Sequence, residues 1–167
     1  MSELITDRTA EETTAAAEIR MKYQKAGNWS GITGAEKNAL GRAAYTYTDI
    51  NRVESAVSAL ADAITRRGYP IQLTVKTDWK PGDMFTYSDA KRYLANIAAI
   101  RSTYPNTAAM PEAVTIDRWI DYIAANDIER IIWETERAIE GADSILRRSG
   151  TFRAGGSYTS QIIRRAT

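Results

Sequence analysis

The chain of 167 residues contains no cysteine and no histidine. The absence of cysteine excludes disulfide bonds, thiolate metal sites and cysteine nucleophiles. The absence of histidine removes the commonest general base and the commonest metal ligand, so that any catalysis would depend on carboxylate, lysine or tyrosine groups. A structural zinc site draws on these two residue types and is not expected. The sequence therefore predicts a protein without a metal centre or cofactor.

Long hydrophobic runs and an excess of one charge are missing as well. No segment approaches the roughly 18 consecutive apolar residues that a membrane helix needs, and the short acidic segment 1–7 does not resemble a signal peptide. The 22 basic and 21 acidic residues nearly cancel, so that the overall charge does not indicate a nucleic-acid partner. We therefore expect no membrane contact and no nucleic-acid binding. The length fits one domain with an extended arm.

Helix signals dominate what the sequence does contain. A first helix, capped by Asp7 or Thr9, is expected to end at Gly27, because glycine readily takes the left-handed conformation found after a helix. Thr33 is followed three residues later by Glu36, which is the spacing of a capping box and predicts the start of a short second helix.

Three later stretches share one pattern, in which a lead-in and an N-cap residue precede Asp-x-x-Arg and an apolar stripe. The expected N-caps are Thr48, Ser88 and Asn126. The aspartates lie 40 and then 38 residues apart, which indicates one helical unit used three times. Each Asp would complement a helix N-terminus, and each Arg would bridge to it or to a neighbouring loop. Presentation of these side chains to a ligand or a partner subunit is the alternative. The repeat residues are Asp49, Arg52, Asp89, Arg92, Asp127 and Arg130.

The segments around the repeats carry signals of their own. Residues 71–77 alternate apolar and polar side chains, which predicts a short β-strand or an extended segment with one buried face. Pro81 and Gly82 predict a type II turn. The third repeat has two possible forms. Either a helix capped by Thr115 breaks at Asn126, or a single long helix passes through that residue.

The last residues, 150–167, are expected to form an extended arm or β-hairpin after a helical domain at 1–149. A lone two-stranded hairpin is marginal in water, so that docking on a partner is favoured. Its arginines could bind the phosphates of a nucleic acid. The apolar side chains among them instead favour docking on an acidic protein neighbour. The fold class predicted is therefore mainly α, with one short β segment and this arm. The docking residues expected in the arm are Phe152, Arg153, Tyr158, Ile162, Ile163, Arg164 and Arg165.

Aromatic and acidic residues outside the repeats are candidates for binding or catalytic groups. The four tryptophans could be platforms on which sugars stack, but packing near helix starts is favoured. Trp29 is expected to pack beneath the second helix. Two close carboxylate pairs lie near aromatic residues, but nothing in the pattern distinguishes them from solvated charges, and no enzyme is predicted. The aromatic residues expected to hold helix starts are Tyr45, Tyr47, Phe85 and Tyr87. The tryptophans are Trp29, Trp79, Trp119 and Trp133, and the carboxylate pairs are Asp78 with Asp83 and Glu134 with Glu136.

Several of these stretches resemble proteins of one kind. Residues 45–54 read Tyr-Thr-Tyr-Thr-Asp-Ile-Asn-Arg-Val-Glu, and Lys-Thr-Asp-Trp and Tyr-Ser-Asp follow at 76–79 and 87–89. Together with the openings at 5–9 and 27–29 and the glycine-rich residues 150–155, they are similar to small structural proteins encoded in the tail modules of phages and prophages of Gram-positive bacteria. The segment 102–112 and the basic last residues match less well.

The resemblance implies a non-enzymatic virion structural protein of a phage tail or tail-like particle, placed at the baseplate or fibre end. Its partners would be other virion proteins and copies of itself, and it would be located in the virion after assembly in the host bacterial cytoplasm. The resemblance implies no active-site residue. A receptor- or polysaccharide-binding module, and a capsid decoration or head fibre protein, are the alternatives.

Overall fold

A computed structural model describes residues 3–105, 107–115 and 120–148. Within these ranges the regular secondary structure is helical and no strand occurs, which confirms the mainly α fold class. The expected arm at 150–167 lies outside the described residues. No helix of the described ranges is long and apolar enough to span a membrane. The helices are α1 (Ala10–Ala26), α2 (Gly34–Ala43), α3 (Tyr47–Arg66), α4 (Tyr87–Thr103) and α5 (Tyr122–Arg148).

The ends of α1 and α2 follow the sequence signals closely. Thr9 caps α1 and exchanges hydrogen bonds with Glu12, and Gly27 follows the helix with a φ of 66°, in the left-handed region. The predicted capping box between Thr33 and Glu36 opens α2. Both helix predictions are confirmed.

The starts of α3 and α4 differ from the prediction by two residues. The caps expected from the sequence are Thr48 and Ser88. In the structure the N-caps are Thr46 and Thr86. The carboxylate of Asp49 accepts the amide proton of Thr46 at 2.7 Å, and that of Asp89 accepts the amide proton of Thr86 at 3.1 Å. Asp49 and Asp89 are thus each the third helical residue of a capping box, where the carboxylate satisfies a backbone donor that the helix leaves open.

The predicted break in the third repeat is wrong, because a helix passes through Asn126, but this helix begins later than the single long helix of the alternative. Helix α5 begins at Tyr122 and continues through Asn126. The Asn126 side chain does not cap a helix, because its amide accepts from the backbone N–H of Arg8 at 3.0 Å and donates to the Arg8 carbonyl at 2.8 Å. Asp121 instead accepts the amide proton of Ala124 at 2.8 Å, in the manner of an N-cap. Thr115 does not begin a continuous helix, since residues 120–121 are not helical, and 116–119 lie outside the described ranges.

The segment 71–77 is extended but forms no strand, so that the β prediction is corrected. Ile71, Leu73 and Val75 pack against the core, as the alternation predicts. The backbone groups bind helix side chains in place of a second strand: the Lys76 amide donates to Glu54 at 2.7 Å, and the Thr74 carbonyl accepts from α4 side chains. The expected turn follows, with Gly82 at a φ of 93° and a hydrogen bond from the Asp83 amide to the Lys80 carbonyl.

Helices α3, α4 and α5 run in the same direction. The ion pairs between α3 and α5 join Arg52 to Glu129 near the start of both helices and Arg67 to Asp143 further along. Between α3 and α4, contacts join Glu54 to Arg92 near the start of both, and the rings of Tyr69 and Tyr104, 5.7 Å apart, just beyond their ends. The chain between these helices therefore has to return along the bundle, and 71–79 is part of the first return.

The hydrophobic core lies between these three helices. Their apolar stripes face one another, and the stripe predicted for α3 is buried in full. Helix α1 contributes far less, since Ala16 and Ile19 are its buried residues, and it packs mainly against α2. The central core residues are Ile50, Val53, Val57, Leu60 and Ile64 of α3, Tyr93, Ile97 and Ile100 of α4, and Ile128, Ile131, Ile132 and Ile139 of α5.

Candidate functional site

A buried group of four charged side chains joins the N-terminal segment to α3 and α5. We call Arg8, Asp49, Arg52 and Glu129 the α3–α5 cluster. The Arg8 guanidinium, with its side chain 0% exposed, lies 3.0 Å from the Asp49 carboxylate and 2.8 Å from the Glu129 carboxylate. The Arg52 guanidinium contacts the same two carboxylates at 2.6 Å and 2.9 Å. Two positive and two negative groups thus lie together, and each charge has a partner of opposite sign; all are buried except Arg52, whose side chain is 22% exposed.

The remaining polar atoms of the α3–α5 cluster bind backbone groups. The second oxygen of Glu129 accepts the Ile5 amide proton at 2.6 Å, and Arg8 donates to the carbonyls of Ile5 and Arg42 at 2.8 Å and 3.1 Å. Burial is the largest single influence and opposes the charge of Arg52, but the hydrogen bonds and charges of Glu129 and Asp49 together outweigh it and raise the pKa of that guanidinium. The Nε atom of Arg52 is the buried side-chain atom without a hydrogen-bond partner among the described residues. The carboxylates of Asp49 and Glu129 are occupied by donors and are almost fully buried.

A second buried group, the α3–α4 cluster, consists of Glu54, Arg92 and Trp79. The Arg92 guanidinium donates two hydrogen bonds to the Glu54 carboxylate, at 2.6 Å and 2.7 Å, which is the bidentate geometry that makes such pairs strong. This hydrogen bonding raises the pKa of Arg92. Arg92 also donates to the Thr74 carbonyl, and the indole N–H of Trp79 points at Glu54 from 3.5 Å. The cluster thus holds the first return segment against α3 and α4.

Two tyrosines lie near the clusters, Tyr93 buried and Tyr45 partly buried. The hydroxyls of Tyr45 and Tyr93 are hydrogen-bonded to each other. Burial raises the pKa of both phenols, and the nearby Glu129 carboxylate acts in the same direction. The Arg8 guanidinium lies over the Tyr45 ring, 5.4 Å from its centroid. The pair is therefore neutral at physiological pH and suits a structural hydrogen bond better than proton transfer.

The structure divides the predicted repeat residues among different roles. Asp49 and Arg52 belong to the α3–α5 cluster, and Arg92 belongs to the α3–α4 cluster. Asp89 caps α4, and its hydrogen bonds with the hydroxyl and the amide of Thr86 lower the pKa of its carboxyl. The two members on α5, Asp127 and Arg130, come after the helix start at Tyr122, and Arg130 is exposed. The arginines of α3 and α4 bind glutamates on neighbouring helices, which the repeat alone does not indicate.

Sequence reasoning missed Arg8, Glu54 and Glu129. A signal for the glutamates exists in the helical spacing. Glu54 lies four residues after Ile50 and three before Val57, and therefore on the buried face of α3. A charged residue at a core position of a helix indicates a buried partner, because an unpaired charge there would be too costly. No comparable signal marks Arg8, which precedes the first helix.

The structure places the other predicted groups in several different surroundings. The seven docking residues expected in 150–167 and Trp119 lie outside these ranges. Trp79 is 4% exposed in the core, and Trp133 is half-buried with the Arg137 guanidinium 4.5 Å from its ring. Trp29, expected beneath α2, is instead 44% exposed and contacts the ring of Tyr23 at 4.3 Å.

The predicted helix-start aromatics divide into two pairs. Tyr45 and Phe85 pack against the core, as expected. Tyr47 and Tyr87 are 39% and 70% exposed, so that the prediction is wrong for these two residues. They are the first residues of α3 and α4, and their side chains lie on the solvent face rather than on the stripe.

Two of the carboxylates from the predicted pairs, Asp83 and Glu134, make local hydrogen bonds. Asp83 accepts the Lys80 amide proton at 2.9 Å across the turn, and Glu134 is buried and accepts from the Thr107 hydroxyl at 3.0 Å. Within the described ranges no group of three or more acidic side chains is placed to hold a metal ion.

Comparison with known proteins identifies no relative. No protein family, no curated protein and no solved structure matches this chain.

Proposed function

We propose that this chain is a non-enzymatic structural protein of a phage tail or tail-like particle and serves as an assembly or adaptor subunit at the baseplate or fibre end. The observation that carries the proposal is the use of the buried charges. In both clusters the ionised groups bind one another and backbone groups, and the carboxylates of Asp49, Glu54 and Glu129 are almost fully buried. Such side chains fix the arrangement of helices rather than act on a substrate.

A fixed arrangement is what an assembly subunit needs, because it has to hold its neighbours at set positions. Buried ion pairs add little net stability compared with apolar packing, but they accept few alternative arrangements of their partners. Here they tie the N-terminal segment to α3 and α5 through Arg8, and the return segment to α3 and α4 through Arg92.

Support for the phage setting comes from the sequence. The stretches at 45–54, 76–79 and 87–89 resemble structural proteins of phage tail modules. Two of these stretches supply residues of the clusters, Asp49 and Arg52 from the first and Trp79 from the second. Residues that the resemblance singles out are therefore residues that hold this fold together.

Residues 150–167 are the part that we propose to dock on a neighbouring virion protein. Four apolar side chains in so short a segment favour burial against a partner, and the arginines among them favour an acidic surface. The apolar residues are Phe152, Tyr158, Ile162 and Ile163, and the basic residues are Arg153, Arg164 and Arg165.

A deletion tests this proposal. The chain shortened to residues 1–149 should remain helical by circular dichroism and should be lost from particles purified from a strain that encodes the protein. The control is a full-length chain with Lys80→Gln, an exposed position far from the deleted segment in sequence. Normal incorporation of the shortened, folded chain would show that 150–167 is not the docking segment.

A further inference from the structure

The exposed aromatic residues near the start of α3 line a groove of about 850 Å³ between α1, α2 and that helix start. Tyr23 of α1 and Trp29 of the following loop form one wall, with their ring centroids 4.3 Å apart. Leu40 of α2 and Tyr47 of α3 form other parts of the lining. Trp29 and Tyr47 are 44% and 39% exposed, which is unusual for such large apolar groups unless a partner covers them.

Two basic side chains complete the groove. Arg20 of α1 and Lys37 of α2 line it, and both are exposed. Neither makes an ion pair or hydrogen bond within the part of the chain that the structure describes, although most arginines there are paired. No carboxylate lines the groove. Its charge is therefore positive and available to an anionic group.

The lining favours a peptide over a sugar chain. Sugar hydroxyls are donors as well as acceptors, and carboxylate and amide oxygens are the strongest side-chain acceptors for their protons. The lining has no Asp, Glu, Asn or Gln side chain, and the hydroxyls of Tyr23, Tyr47 and Thr46 are its side-chain acceptors. Arg20 and Lys37 act only as donors, which suits a carboxylate. The aromatic and aliphatic walls suit an apolar side chain next to it.

We infer that this groove binds an acidic peptide segment of a neighbouring protein. An apolar or aromatic side chain of the peptide would pack against the aromatic rings that line the groove, and a carboxylate would lie against Arg20 and Lys37. The inference rests on the proposed role as an assembly subunit and adds the chemistry of one partner. It concerns a surface of α1 and α2 and does not depend on residues 150–167.

A selection from an mRNA-displayed library of random peptides tests the inference without assuming the partner. The purified full-length chain should enrich peptides that combine Asp or Glu with Phe, Tyr, Trp or Leu. The variant R20E/K37E should not enrich them, because like charges at the groove repel the peptide. The matched control is K80E/K91E, which makes the same change in net charge at two exposed positions outside the groove.

Affinity measurements on one enriched peptide, by fluorescence anisotropy, complete the test. R20E/K37E and Trp29→Ala should each weaken binding about tenfold or more, whereas K80E/K91E should stay within about twofold of the unchanged chain. Circular dichroism melting establishes that the variants fold, which is expected because all the substituted residues are exposed.

Three results would overturn the inference. The first is that the unchanged chain enriches no acidic and apolar pattern, and the second is that R20E/K37E enriches the same peptides. The third is that a cell-wall oligosaccharide binds, that Trp29→Ala abolishes this binding, and that the peptides do not bind. The inference and the proposed function fail separately. Peptide binding by a chain that is absent from particles contradicts only the proposed function, and a chain present in particles without peptide binding contradicts only the groove.

Discussion

Arg8 is the residue on which the largest number of segments depends. It lies before the first helix, yet its guanidinium contacts Asp49 of α3 and Glu129 of α5, and its backbone pairs with Asn126. The two carboxylates are almost fully buried and would each lose a partner of opposite charge without it. Removing one member of such a buried group costs more than the group contributes, because the remaining charges lose their compensation.

Replacing Arg8 by methionine should therefore lower the free energy of unfolding by about 3–5 kcal/mol, as measured by urea denaturation. The control is Arg42→Met, which removes ion pairs to Asp7 and Glu12 at the surface, with the Arg42 side chain 41% exposed. That change should cost about 0–1 kcal/mol. Equal losses in the free energy of unfolding for the two variants would mean that Arg8 in the α3–α5 cluster stabilises the fold no more than Arg42 does at the surface.

Glu36 gives the fold a specific dependence on acid. The Lys22 ammonium and the backbone and hydroxyl of Thr33 hydrogen-bond to its carboxylate and lower its pKa from 4.5 to about 2. Between these values the unfolded chain binds a proton that the folded chain does not, so stability from this group is present above pH 4.5 and is lost as the pH falls to about 2.

In Glu36→Gln the corresponding part of the pH dependence should disappear, because glutamine keeps the length of the capping side chain but does not titrate. Melting temperatures measured from pH 5 to about pH 2 should fall less steeply than those of the unchanged chain. Glu18→Gln is the control, since Glu18 is exposed and makes no ion pair within the described ranges. A curve for Glu36→Gln as steep as that control would refute the assignment.

At the scale of elements, the first return segment shows what alternation can and cannot predict. Ile71, Leu73 and Val75 face the core, as in a half-buried strand. The same alternation serves any extended chain that lies on an apolar surface, and only the partner of its backbone distinguishes the two cases. Here the partners are helix side chains, and Asn51 binds both the amide and the carbonyl of Trp79 at 2.9 Å.

Asn51→Ala should release this segment from α3. Two backbone groups of Trp79 lose their partners, so that stability should fall by about 1–3 kcal/mol. Amide hydrogen exchange at residues 76–79 should rise more than at the centre of α3. Asn38→Ala is the matched control, because Asn38 is an exposed helical residue of α2, and stability should change there by less than about 0.5 kcal/mol. Unchanged exchange at residues 76–79 would contradict the role given to Asn51.

Helix signals that act within a few residues could be read from the sequence, and signals that depend on distant partners could not. The capping box of Thr33 and the stripe of α3 are local, and both were predicted. Asn126 looks like a cap, but in the structure its side chain pairs with the backbone of Arg8, 118 residues away. The groove was not predicted either, because Tyr47 was assigned to packing at the helix start.

At the scale of the whole molecule, three helices with the same direction start at one end. Their N-terminal dipoles add there, which favours carboxylates at this end, and Asp49, Asp89 and Asp121 occupy the three starts. The N-terminal segment and the hairpin of α1 and α2 lie against the starts of α3 and α5. The groove with Arg20 and Lys37 opens beside them, so that the surface proposed to meet a neighbour lies next to helix starts that the α3–α5 cluster joins.

The proposed function requires that this chain is built into a particle. The most direct measurement is therefore the amount of the chain in purified particles. Quantitative mass spectrometry of tail or tail-like particles, purified from a strain that encodes the protein, should find it at a fixed ratio to the other structural proteins, and the ratio should persist through a high-salt wash. Particles that are complete and contain none of the chain, with all of it free in the cell extract, would contradict the account.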